Sequence, residues 1–110
     1  MKARIQGGQG NSQANMMKKI QEMQAQLEEK QAEIEQTEFT ASAGGGAVEV
    51  TVTGAHEVKN INLQPDVVDP DDVEMLSDLI IAATNEAMKK AEDAMEQAMN
   101  ALKGGLNLPF

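Results

Sequence analysis

Hydrophobic period changes twice along this chain, and that order of periods constrains the fold more than any other feature. Met16, Ile20, Met23, Leu27 and Ile34 recur on steps of four and three, with Lys30 in the one non-apolar slot. This is the narrow a/d stripe of a helix that packs on one partner helix. The intervening residues are Gln, Glu and Lys, which are good helix formers, and the pattern predicts a helix from about Asn15 to Gln36. The period then drops to two. Thr37 to Ala43 alternates weakly, Gly44-Gly45-Gly46 follows, and Ala47-Val48-Glu49-Val50-Thr51-Val52-Thr53 places three valines on one face of a strand. Gly54-Ala55-His56 makes the next turn, and Glu57 to Leu63 forms a third strand. Val58 is out of phase with Ile61 and Leu63, which predicts a bulge near Asn60.

Pro65 ends the strands, and the helical period returns. Asp69-Pro70-Asp71-Asp72 reads as a helix start, with Asp69 as cap and Pro70 at the first helical position. Val73, Leu76, Ile80, Ala83, Ala87, Ala91, Ala94, Ala98 and Leu102 follow one face until Gly104-Gly105, with Pro109 beyond. The expected fold is α+β: a helix, a three-stranded antiparallel meander and a long helix against its apolar face. A helix of that length outruns three short strands, so its C-terminal half should project or pack on a second subunit. The expected division is a mobile N-terminal arm over residues 1–14, a single folded domain over residues 15–103 and a tail over residues 104–110. A chain of 110 residues buries a modest share of its surface, which favours self-association.

Composition narrows the chemistry. There is no cysteine, so disulfides, zinc-thiolate sites and thiol nucleophiles are excluded. The two aromatic residues, Phe39 and Phe110, are too few for a base-stacking platform. Lys2 and Arg4 near the start precede no apolar run, and no stretch approaches a membrane-spanning length, so a cytoplasmic protein is expected. The formal net charge is -9, which opposes generic nucleic-acid binding, but residues 1–36 are charge-balanced. Any DNA contact must come from local clusters.

The candidate sites mostly resolve into structural features. Asp69, Asp71, Asp72 and Glu74 lack the oxygen ligand and glycine that a calcium loop needs at its fifth and sixth positions, where Val73 and Glu74 stand. His56 has no Cys or second His nearby and reads as an exposed turn residue. Gly44-Gly45-Gly46 joins two strands without a following helix or Lys-Ser/Thr, so it is a hairpin turn and not a phosphate loop. The methionines at helical spacing serve adaptable packing, and Asn85 is expected as a buried amide within the second helix. No serine or threonine has a base partner, so no catalytic site, cofactor or metal centre is expected. The basic residues remain: Lys2 and Arg4 in the arm, Lys18 and Lys19 early in the first helix, and Lys89 and Lys90 midway along the second.

Three segments together resemble the YbaB/EbfC family of nucleoid-associated proteins. They are Asn15-Met16-Met17-Lys18-Lys19-Ile20-Gln21-Glu22-Met23-Gln24, the run Gly44 to Gly54, and Asp72-Val73-Glu74-Met75-Leu76-Ser77-Asp78-Leu79-Ile80-Ile81-Ala82-Ala83-Thr84-Asn85-Glu86-Ala87. The tail Gly104-Gly105-Leu106-Asn107-Leu108-Pro109 also fits. The resemblance spans nearly the whole chain in the right order. It implies a tweezer-like homodimer with projecting helical arms, no enzymatic activity, and binding of double-stranded DNA with weak sequence preference in nucleoid organisation or gene regulation. Charge and placement assign the DNA contacts to Lys2, Arg4, Lys18, Lys19, Lys89 and Lys90. The competing expectation is a scaffold whose amphipathic helices recruit a protein of the recombination or replication machinery.

Overall fold

The computed structural model describes the backbone of residues 2–105 and the side chains of residues 12–102. The order of elements is α1 (Lys2–Gln36), β1 (Glu38–Ala43), β2 (Val48–Thr53), β3 (Val58–Leu63), a 3-10 turn (Pro65–Val67) and α2 (Val73–Gly105). The expected order of helix, three strands and long helix is therefore present. The first helix begins at Lys2 and not near Asn15. Extending a helix that already exists adds one hydrogen bond per residue without a new nucleus, so apolar periodicity need not mark its start.

The sheet is an antiparallel meander in the order β1-β2-β3. Val48, Val50 and Val52 are fully buried, each contributing about 1.5–3 kcal/mol of hydrophobic stabilisation. Against them lies the alanine stripe of α2, where Ala83, Ala87 and Ala91 are also fully buried. Small side chains here let the helix axis come close to the sheet. Asn85, two residues from Ala83 and from Ala87, falls on the opposite side of the helix and is exposed, contrary to the buried amide expected.

The bulge predicted near Asn60 is present. Thr51 pairs with Asn60 but Val52 pairs with Val58, so Lys59 is the extra residue. Its insertion reverses the pleat and brings Val58 onto the same face as Ile61 and Leu63, opposite Val52, Val50 and Val48 respectively. Even so, α2 packs on β1 and β2 and leaves the outer strand largely bare. Val58 and Ile61 remain about 40% exposed.

The N-cap of α2 is Asp72, not Asp69. Asp72 Oδ1 accepts a hydrogen bond from the Met75 amide at 3.2 Å. Asp69 instead caps the preceding turn, where its Oδ1 accepts from the Asp71 amide and its carbonyl from the Asp72 amide. Pro70 occupies that turn, where its fixed φ is equally useful.

The ends of the sheet orient the helices. At one end, Gly44, Gly45 and Gly46 adopt positive φ in the β1–β2 turn, and Leu79 of α2 lies against Gly44. At the other end, α1 closes onto Gly54: the Thr37 carbonyl accepts from the Gly54 amide at 3.1 Å. A Cβ on Gly54 would lie 2.0 Å from the Ile34 carbonyl oxygen, so only glycine allows this approach. His56, in the same β2–β3 turn, lies 3.7 Å from Glu92 of α2. Thus α2 crosses the sheet from Leu79 to about Glu92, then leaves it at the end where α1 arrives. Beyond the sheet the two helices run antiparallel and side by side, with Met23 and Leu27 of α1 and Met95, Met99 and Leu102 of α2 half-buried. The result is a rod of 87 × 21 × 16 Å.

Candidate DNA-binding surface

The rod places the basic residues unevenly. Lys18 and Lys19 are both exposed on α1. They precede Ile34, the residue at the sheet, by sixteen and fifteen positions, or roughly 23 Å of helix axis. Ile34 and Glu92 flank the same turn, so the described part of α2, to Gly105, reaches about as far along the arm as Gln21. Lys18 and Lys19 lie beyond that point, where no other described element runs beside α1. Residues 1–21 carry Lys2, Arg4, Lys18 and Lys19 and no acidic residue. The side chains of Lys2 and Arg4 lie outside the described residues.

Lys89 and Lys90 are on α2 beside the sheet, a different level of the rod from Lys18 and Lys19, so the expected contacts do not form one patch. Lys89 is exposed. Lys90 is engaged: its Nζ donates to the Thr40 carbonyl at 2.7 Å, tying α2 to the edge strand β1. Lys59 on β3 is a further exposed basic residue that is not among the contacts expected from the sequence. The signal was present in the broken alternation of β3, because the bulge residue of an edge strand is exposed.

Acidic residues gather at the other end of the rod. Between Gln64 and Ile80 stand Asp66, Asp69, Asp71, Asp72, Glu74 and Asp78, all exposed and with no basic residue among them. Gln64 bonds to Ala47 beside the β1–β2 turn, which puts this stretch at the end remote from the arm. Charge is therefore uneven along the rod: residues 1–21 hold four basic and no acidic residues, the foot six acidic and no basic, and the rest of the chain twelve acidic against five basic. At an ionic strength where charges are screened within about 8 Å, the foot does not cancel the arm. The only ion pair among the described residues of the arm side of α1 is Lys30 with Glu33 at 3.7 Å, both exposed and of little consequence for stability.

No described helix is long and apolar enough to cross a membrane.

A nucleoid-associated protein of Clostridium novyi is 54% identical over 102 residues, covering 93% of this chain and 90% of the relative. One from Clostridium acetobutylicum is 52% identical over 100 residues, covering 91% and 89%. The crystal structure of an uncharacterised Helicobacter pylori protein superposes with a TM-score of 0.67 at 21% identity, over 81% of this chain and 95% of that one, which shows the shared fold. The YbaB/EbfC DNA-binding family matches residues 9–106, and with nucleoid-associated relatives of this identity the chain belongs to that DNA-binding family.

Proposed function

We propose that this chain acts as a homodimer that grips double-stranded DNA through its helical arms, with weak sequence preference, to organise the nucleoid or regulate genes. The observation that carries the reading is the bare basic half of α1: Lys18 and Lys19 are exposed on a stretch without acidic residues. Lysines on a rod contact phosphates without reading bases, which gives affinity with little sequence discrimination. Lys2 and Arg4 would extend the same row, and Lys89 would add a contact nearer the body. Lys90 would join only by releasing the Thr40 carbonyl.

Dimerisation is supported by the half-covered sheet. Val58 and Ile61 face the same side as the buried valines yet are exposed, because one helix spans only two of three strands. A two-fold partner presenting the same strip would cover both copies at once. The bulge and Lys59 on β3 disfavour simple edge-to-edge strand pairing, so the apolar face is the preferred contact. Each basic position then occurs twice, and the dimer presents two arms to one duplex. Action at the nucleoid, in the cytoplasm, follows from this reading.

Fluorescence anisotropy with a short random-sequence duplex tests it. Binding should weaken steeply with salt, log K falling against log salt with a slope of roughly -4 to -7 for about four to eight phosphate contacts per dimer. The Lys18→Glu/Lys19→Glu variant should lose binding while retaining its fold. Unchanged binding would remove the arm assignment. Absence of binding by the native protein even at low salt would favour a protein-recruiting scaffold acting with recombination or replication machinery.

A further inference from the structure

The apolar stripe of α1 is longer than the helix that covers it. Ile34 is buried, Leu27 and Met23 are half-buried beside α2, Ile20 is 50% exposed and Met16 is 67% exposed. All five share one side of the helix, so the loss of cover follows the extent of the described partner helix. From Glu92, level with Ile34, to Gly105, its last described residue, α2 travels roughly 20 Å, which matches α1 as far as Gln21. Ile20 and Met16 are the next two positions on the stripe.

The chain beyond α2 has the composition and reach to continue the cover. Leu106-Asn107-Leu108-Pro109-Phe110 places an apolar side chain at every second position. Pro109 biases Leu108 toward extended backbone, in which Leu106, Leu108 and Phe110 share one face. Five extended residues reach ~17 Å, whereas Ile20 and Met16 are only ~6 Å apart along α1. Gly104 and Gly105 precede this segment, so no side chain obstructs its approach to α1.

We propose that residues 106–110 of the same chain dock on the Met16–Ile20 stripe and buttress the free half of α1. A second copy could offer the same apolar residues, but the tail starts where the uncovered stripe starts. Short tethers give effective concentrations in the millimolar range, which favours the chain's own tail. The docked tail leaves the DNA-contacting side of the arm open. Lys18 is two residues from both Met16 and Ile20 and so lies across the helix from the stripe, and Lys19 flanks it.

The cysteine-free chain permits a direct test. In the full-length protein, Met16→Cys with Leu108→Cys, the pair that the extended tail brings level, should form an intrachain disulfide under mild oxidation, running at monomer mass on a non-reducing denaturing gel. Glu22→Cys with Leu108→Cys, on the far side of α1, should not. An interchain product, no product, or equal cross-linking of the control pair would overturn the proposal. Independently, Leu106→Ser/Leu108→Ser/Phe110→Ser should speed amide exchange over residues 14–22 by roughly tenfold while strand β2 keeps its protection. Unchanged exchange over residues 14–22 would overturn the proposal; because neither measurement involves DNA, either result leaves the nucleoid reading to its own test.

Discussion

Two residues join the layers in ways their chemical types alone do not announce. Gly54 lies under the last turn of α1, and its missing side chain lets Ile34 and Thr37 meet the β2–β3 turn. The Gly54→Ala variant should lose about 3 kcal/mol of stability in urea unfolding, since the new methyl group must displace backbone. A loss below 1 kcal/mol would mean that α1 detaches easily from this turn. By charge and placement Lys90 is a candidate phosphate contact, yet its ammonium group bonds a strand carbonyl fifty residues earlier in the chain. Charge was legible in the sequence; what the charge touches was not, because that depends on how α2 crosses β1.

Periodicity identified the elements well because each buries one face. The alternating valines of β2, the 3.6-residue stripe of α2 and even the phase break in β3 all have direct counterparts in burial and register. Helix starts were less legible. Aspartates at positions 69, 71 and 72 can all cap, and the choice falls on the one whose carboxylate meets a free helical amide. Asp72→Ala should therefore cost about 1 kcal/mol by chemical denaturation. Asp69→Ala, which removes a turn contact only, should cost less; equal losses would contradict the capping assignment. Asn85 was misplaced for a related reason: being surrounded by apolar residues in sequence does not put a residue on the apolar face.

The molecule as a whole is a bipolar rod with an incompletely covered sheet. Both features are invisible in totals, since -9 sums a basic arm, an acidic foot and a middle that is itself acidic. If the bare strip on β3 is the subunit contact, Ile61→Asp should convert the dimer to monomer in sedimentation velocity while each chain keeps its helical content. A dimer that persists unchanged would locate the interface elsewhere. Loss of the dimer should also reduce DNA affinity by more than the loss of one charge per chain explains, because a monomer presents one arm where a dimer presents two.

The amino-acid sequence by itself determined the order and kind of the elements, the bulge in β3, the absence of thiol chemistry and the family. All of these are written in local periods, composition and motifs read along the chain. Only the tertiary structure decided that α2 covers two strands and not three, that Asp72 caps, that Lys90 is tied to β1, and that α1 and α2 run side by side beyond the sheet. Each of those outcomes depends on the relative lengths and crossing of elements distant in sequence, and local pattern carries no record of where such elements meet.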